Sequence, residues 1–556
     1  MPYPLLRAIL PGVAALLASP AFCSDIAWTT CDAAIIDQYP NLVDRMQCGT
    51  ASVPQDHRMA DGQRIALPLV RIQAASPSLR LGALFLNPGG PGASATGFTL
   101  AAADLFGMAD PAHPVARHQR NLADRYDFIG LQPRGVDDRI GSLRCRSDAV
   151  NLAVRDFAED RSEVNMLAAE HNAALAAAAC LEQPDIGLVN TWQVANDLEW
   201  VRRALGEPKL NYFGVSYGTF LGAWYASMFP GSVGRMLLDS NMNWRSSFDE
   251  AVLGQAPGYQ HTFDTAIAGY VASRADYFNL GNTAAEVAAL FRRAPAALRS
   301  AMRFWVSLPN KAEREFTGHA LMAVSAISTI LREHPDIDET GMRAALASFQ
   351  FSDDPKAREA GLKAAMGAVA IYFRAPELPG KVELETVESV FLAVSCNDTA
   401  SERDPTYWRL LGDFYEEHYP VFGSKQLTGP CRFWPEVDRF KPDFSALGDV
   451  PGLLMIQNAD DPVTPLAGAL KAFEPSESAG MVIVEGDYTH GVFPHGSSCL
   501  DAIVGDFFIK GHHPGRGALM TCAPVALPSV ERASYRDPVR ARALLRVMRE
   551  APLLWR

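Results

Sequence analysis

Leu210-Asn211-Tyr212-Phe213-Gly214-Val215-Ser216-Tyr217-Gly218-Thr219-Phe220-Leu221-Gly222-Ala223-Trp224-Tyr225-Ala226 is the stretch on which the reading of this chain turns. Its first four residues form an apolar, strand-like run, and its last eight form a helix-like run. Between them stands Gly-x-Ser-x-Gly, in the strand–turn–helix context that puts a serine hydroxyl at the exposed tip of a strained elbow. A side chain at 214 or 218 would collide with the neighbouring strand or helix, so glycine is required at both places. The helix starting behind Ser216 adds partial positive charge where an oxyanion would form. Ser216 is therefore the candidate nucleophile.

Further apolar, β-prone runs lie on both sides of the elbow: 65–72, 83–87, 127–131, 235–239, 453–457 and 481–485. Several are continuously apolar, as strands buried on both faces of a parallel sheet must be. They alternate with helical segments such as Val194 to Leu205, which predicts an α/β, mostly parallel, doubly wound sheet. The strand pattern stops after Asp239. From about 245 to 390 the sequence is alanine-rich and helical, with runs such as Thr283 to Arg293 and Leu346 to Ile371. The expected organisation is a core of residues 23–244 and 396–525, a helical cap inserted over 245–395, and a basic helical tail over 526–556. That tail carries seven arginines against three acids, and its segment Val539 to Met548 reads as an amphipathic surface helix.

A serine hydroxyl needs a base, and the base needs an orienting acid. In a sheet of this kind the chain order is serine, acid, histidine, the last two on loops after late strands. The run 453–457 leads into Asn458-Ala459-Asp460-Asp461-Pro462-Val463-Thr464-Pro465, and the run 481–485 into Gly486-Asp487-Tyr488-Thr489-His490-Gly491. His490 is the candidate base, ahead of His495, His512 and His513. Asp461 is the candidate acid, ahead of Asp460, because the Asp-Pro-Val-Thr-Pro turn gives it a rigid position. The oxyanion donors expected are the backbone N–H of Tyr217 and one from the loop Asn87-Pro88-Gly89-Gly90-Pro91-Gly92-Ala93-Ser94. Its prolines have no N–H, and Gly90 is the choice among its glycines. No lysine accompanies that loop, so it is not a phosphate loop.

Composition bounds the rest. The chain has 556 residues, 48% hydrophobic and 20% charged, enough apolar material for a large core. A net charge of −13 argues against non-specific nucleic-acid binding and against an anionic membrane surface. Arg7 followed by the apolar run 8–18 and by small residues at Ser19 and Ala21 reads as a secretory signal over residues 1–22, with a periplasmic or extracellular destination. Beyond Cys23, eight cysteines fall into four sequence-local pairs: Cys31–Cys48, Cys145–Cys180, Cys396–Cys431 and Cys499–Cys522. Metal-type C-x-x-C spacing is absent, and neither a cofactor nor a metal is expected. Stable membrane insertion is not expected either.

With these motifs in place, the chain resembles the tripeptidyl aminopeptidase branch of the proline-iminopeptidase family of α/β-hydrolases. The residues carrying the resemblance are NPGGPGAS (87–94), YDFIGLQPRGVDD (126–138), NTWQVANDLEWVRRALG (190–206), GVSYGTFLG (214–222), DPVTP (461–465) and THGVF (489–493). Residues 396–522, from Cys396-Asn397-Asp398 through Cys431 and Trp434 to Cys522, resemble the family's C-terminal region. Thr489 stands where the family usually has glycine, and Gln132 where it usually has an acid. Arg134 reads as structural. The resemblance implies an exported serine exopeptidase acting on free peptide amino termini, with a cap carboxylate for the substrate ammonium; Asp249, Glu250, Asp264 and Glu313 are all available. A carboxylesterase or amidase using the same triad is the alternative. The intact Ser216, Asp461 and His490 argue against a catalytically silent binding protein.

Overall fold

The computed structural model describes residues 25–525 except 137–141, 309, 375–378, 424–428 and 437–438. The expected signal segment and basic tail lie outside the described residues. Twelve strands are present among those described: β1 (Ile26–Thr29), β2 (Met46–Pro54), β3 (Arg64–Ile72), β4 (Gly82–Asn87), β5 (Tyr126–Leu131), β6 (Arg146–Val150), β7 (Leu210–Val215), β8 (Val233–Asp239), β9 (Lys381–Glu383), β10 (Leu453–Asn458), β11 (Ala479–Val484) and β12 (Leu519–Cys522). Ten of them form one sheet in the order β1-β2-β3-β5-β4-β7-β8-β10-β11-β12, and β6 pairs with β9 in a separate ribbon.

From β5 to β12 every neighbouring pair in the large sheet is parallel, while β1, β2 and β3 extend it antiparallel. The parallel strands β4, β5, β10 and β11 are buried at every position. Successive side chains point to opposite faces, so Ala83 and Phe85 join one apolar layer and Leu84 and Leu86 the other. Helices 191–204, 217–228 and 466–473 cover the first face, and helices 95–107, 116–125 and 500–510 the second. Local signals fix several starts: the Ser94 hydroxyl accepts the Gly97 N–H, and Asn190 accepts that of Gln193.

Sequence reading missed β1, β2, β6, β9 and β12. In β2 the run Met-Gln-Cys-Gly-Thr-Ala-Ser-Val-Pro alternates in burial and has no continuous apolar core. β12 is only four residues long. The helical run expected from Leu346 to Ile371 is two helices, Glu339–Ala347 and Pro355–Tyr372. Pro355 lacks an N–H and sits at the first turn of the second, where the Asp354 carboxylate accepts the N–H groups of Lys356 and Ala357 at 2.8 and 3.0 Å.

Between β8 and β9 the helices enclose an apolar core of their own, built on Phe263, Phe278, Phe291, Leu321 and Ile327. A smaller cluster joins Cys145, Cys180, Val382, Cys396 and Trp434. All four sequence-local cysteine pairs are disulfide-bonded, with Cα–Cα distances of 4.9, 4.5, 4.9 and 5.9 Å along the chain. They close loops of 17 to 35 residues, a span over which each bond contributes about 2–4 kcal/mol. Non-reducing peptide mapping should recover Cys31–Cys48, Cys145–Cys180, Cys396–Cys431 and Cys499–Cys522, and reduction should lower the melting temperature. Mixed pairs, or eight free thiols, would contradict the structure.

Candidate active site

The chain runs from β4 to its neighbour β5 on one side, and β7 lies on the other side of β4. Loops leaving the carboxyl ends of β4 and β7 therefore diverge, and a crevice opens between them, as parallel sheets form where the strand order reverses. Ser216 follows β7 at this point with φ 59° and ψ −124°, a left-handed conformation unusual for a residue with a side chain. The turn closes only because its flanks are bare. A Cβ on Gly214 would lie 2.4 Å from the Gly218 carbonyl oxygen, and one on Gly218 would lie 2.7 Å from that of Asn87.

The glycine-rich loop after β4 lies against this elbow. Gly89, Gly90 and Gly92 have φ of 93°, 106° and 105°, and a Cβ on Gly89 would come within 2.8 Å of the Tyr217 nitrogen. The Gly89 N–H is already bonded to Asn87 Oδ1 at 2.9 Å. Gly90 lines the same cavity as Ser216 and Asp461. Gln132, the departure noted in the sequence, is buried and accepts the Thr96 N–H at 3.2 Å, so it braces the far end of this loop. Arg134 lies elsewhere: its guanidinium grips Asp197 at 2.6 and 2.7 Å and the Pro54 carbonyl at 2.7 Å.

The structure brings Asp461 and His490 together. His490 Nδ1 lies 2.9 Å from Asp461 Oδ2 and 3.2 Å from Oδ1. Asp461 is itself fixed, accepting the N–H groups of Val463 and Thr464 at 2.9 and 3.1 Å and the Thr464 hydroxyl at 3.0 Å. Asp460 turns toward the cap instead, 3.2 Å from His261 Nε2. Among the described residues no hydrogen bond joins Ser216 Oγ to His490; such contacts commonly tighten only when substrate is bound. Among the rival histidines, His495 lies 3.5 Å from Asp487 and His513 caps the Gly515 N–H at 3.1 Å.

Three supports around these residues were not read from the sequence. Asp239, at the end of β8, accepts the N–H groups of Val492 and Phe493, both at 2.8 Å. The only sequence signal for it is a charge closing the apolar run Met236-Leu237-Leu238. The second is a chain from the elbow, in which Tyr217 Oη meets Thr191 Oγ1 at 2.6 Å and Thr191 donates to Asp398 Oδ2 at 2.6 Å. Asp398 belongs to the Cys396-Asn397-Asp398 triplet, so that motif reaches the elbow. The third comes from the cap. Lys311 is buried, with its N–H 3.3 Å from Thr489 Oγ1 and its ammonium 3.3 Å from Asp487 Oδ2. Thr489 thus puts a hydroxyl to use where glycine would offer none.

Ser216, Asp461 and Gly90 open into a cavity of about 780 Å³, with apolar walls that include Phe248, Val252 and Phe391. Of the four cap acids named from the sequence, Glu250 lines this cavity. Asp249 lines a second cavity of about 740 Å³ on the far side of the same three side chains, and Asp264 pairs with Arg292. Among the described residues no group of three or more His, Cys, Asp or Glu side chains is arranged to hold a metal ion.

A parallel sheet with a serine elbow after its central strand and an aspartate–histidine pair after later strands defines an α/β-hydrolase. Sequence comparison agrees: residues 82–325 match the family model described as alpha/beta hydrolase fold, and residues 419–520 match one described as TAP-like protein. A tripeptidyl aminopeptidase of Streptomyces coelicolor is 28% identical over 538 residues, covering 93% of this chain and 89% of the relative. The serine protease Hip1 of Mycobacterium tuberculosis is 26% identical over 91% of this chain and 93% of its own. A carboxylesterase B of the same species is 27% identical over 92% and 93%. The chain belongs to the α/β-hydrolases and is similar over most of its length to that family's tripeptidyl-aminopeptidase branch.

Burial pushes the Asp398 carboxyl up to about 7, against the opposing pull of the Thr191 hydroxyl and N–H and of the Arg439 charge. A carboxyl raised in this way binds its proton more tightly folded than unfolded. Its contribution to stability therefore falls as pH rises from about 4 to about 7. Asp398→Asn removes that slope. In urea unfolding at a series of pH values, the variant should gain on the wild type steadily across this window; a constant difference would contradict the assignment.

Proposed function

We propose that this chain is an exported aminopeptidase that cleaves short peptides from free amino termini through an acyl-enzyme at Ser216. The observation carrying the reading is the hydrogen-bonded Asp461–His490 pair, whose aspartate lines the same cavity as Ser216. In the mechanism, Ser216 Oγ attacks the scissile carbonyl carbon while His490 Nε2 takes its proton. Asp461 holds the Nδ1 tautomer and stabilises the imidazolium that forms. The N–H groups of Tyr217 and Gly90 receive the oxyanion, helped by the positive end of the helix 217–228. His490 then passes the proton to the departing amine, and water reverses the sequence to free the acyl product.

The relatives named as tripeptidyl aminopeptidase and serine protease support a peptide substrate. The cap supports action at chain ends, since its helices 248–253 and 255–262 contribute to the wall over Ser216. Glu250 and Asp460 border the same cavity and supply carboxylates for a substrate ammonium. Four disulfides support an oxidising, extracytoplasmic location, and among the described residues no helix is long and apolar enough to cross a membrane. The carboxylesterase reading retains one specific support, the relative of that name, together with the largely apolar cavity wall.

Ser216→Ala should abolish turnover and labelling by a fluorophosphonate probe in a folded protein. His490→Ala and Asp461→Asn should each lower kcat by roughly 10³-fold or more, without additivity when combined. Asp460→Asn should cost far less, and a larger loss at 460 than at 461 would reverse the acid assignment.

For substrate class, peptidyl amides with a free amino terminus should be cleaved at least roughly tenfold faster than their acetylated forms, because acetylation removes the ammonium that would join Lys471, 3.8 Å from Glu250, and His261, 3.2 Å from Asp460, at the cavity carboxylates. Equal rates on both, or strong activity on simple esters with none on peptides, would favour the esterase.

A further inference from the structure

We propose that Asp239, with its neighbour Ser240, is a positioning residue for the hydrolytic reaction: the dipeptide holds the backbone on both sides of the catalytic centre and so sets the spacing between nucleophile and general base. The proposal rests on the assignment of Ser216 and His490 given above, but not on which acyl substrate is used.

The two halves of the site come from loops far apart in sequence, after β7 and after β11, and β8 ends between them. Its last residue touches both. The Asp239 carbonyl accepts the Ser216 N–H at 2.9 Å, which ties the elbow down at the nucleophile itself. The Asp239 carboxylate accepts the Val492 N–H with Oδ1 and the Phe493 N–H with Oδ2, both at 2.8 Å. Ser240 Oγ accepts the Gly491 N–H, also at 2.8 Å. Three consecutive N–H groups immediately after His490 are thus taken up by one dipeptide. The dipeptide is in turn anchored to the sheet, because the Ser240 N–H is bonded to the Ile456 carbonyl at 3.0 Å.

The chemistry of the group fits this task and no simpler one. Only an ionised carboxylate presents two acceptor oxygens to two parallel N–H donors; an amide of the same shape would turn an NH2 group against one of them. The position carries a real cost. Asp239 is fully buried, and burial raises its carboxyl to about 7 in spite of the two N–H groups and the nearby His490. Ser240 sits at φ 56°, a left-handed conformation that residues other than glycine seldom adopt. A strained residue beside a buried charge, both bonded to the loop bearing His490, is the combination expected where geometry is held against stability. Both groups reach the site through hydrogen bonds to the backbone on either side of it, and that is how they act.

The test uses the full-length, disulfide-intact protein, with a p-nitrophenyl ester for turnover and a fluorophosphonate for the labelling rate of Ser216; both probes work under either reading of the substrate. In Asp239→Asn, kcat and the labelling rate should fall together by roughly 100-fold, the loss associated with displacing a catalytic group by about 1 Å, while KM stays within about twofold. Folded variant that retains kcat and labelling within about threefold of wild type would overturn the proposal, whatever its melting temperature. If Asp239→Asn does not fold, Ser240→Ala decides. It removes the acceptor for Gly491 together with the hydroxyl that also bonds the Asp239 carboxyl, and should lower both rates by about tenfold at unchanged KM; unchanged rates would overturn the proposal. Labelling that persists in Ser216→Ala would overturn the underlying site assignment separately, before either variant is considered.

Discussion

The tight approach of the helix Tyr217–Met228 to β7 and β4 is the constraint on which the remainder of the structure depends. The helix can start immediately after β7 only if Ser216 takes a left-handed turn, and that turn closes only over bare backbone at Gly214 and Gly218. The same approach brings the loop after β4 against the Tyr217 nitrogen, again only because Gly89 has no side chain. Packing holds the arrangement in place: Phe220, Leu221, Ala223 and Trp224 of the helix are buried in the apolar layer of the sheet. Unwinding the strained turn would pull these side chains from that layer, so burial of apolar surface opposes relaxation at the serine.

Much of this was legible because it is local. A glycine pattern between a strand and a helix, a Pro-Gly loop after a buried strand, and an acid and a histidine closing two late apolar runs are all readable within a few residues. The parallel strands stood out for the same reason, being apolar without interruption. What stayed hidden was of two kinds. Some elements lack a one-dimensional signature, such as β2, whose burial alternates, and β12, which is too short. Others are contacts between distant positions. Asp239 meets Phe493 across 254 residues, and Thr191 meets Asp398 across 207. No spacing rule connects residues so far apart; only the order of strands in the sheet makes them neighbours.

The break of the run 346–371 at Pro355 shows the reverse failure, in which a local signal was present but apolar periodicity outweighed it. Asp-Pro after an aspartate and a serine is a helix start, and the structure uses it as one. The cap acids show a third limit. Composition offered four of them, and for the two on helix 248–253 the cavity each borders depends on the side of that helix it occupies. Adjacent residues on that helix, Asp249 and Glu250, line different cavities.

The contact between Lys311 and the loop bearing His490 bears on how substrate can enter. Lys311 comes from the inserted helical region, yet it is bonded through its own N–H to Thr489 and through its ammonium to Asp487. A roof that swung open as one rigid piece would break both bonds and separate the Lys311 ammonium from the Asp487 carboxylate. It would also release the residue that directly precedes His490. An opening that keeps both bonds would have to lie away from Lys311, as at helices 248–253 and 255–262, which wall the cavity. The insertion is in this sense tied to the loop bearing His490, and replacing it wholesale with the cap of another hydrolase would remove a support of that loop along with the wall over Ser216.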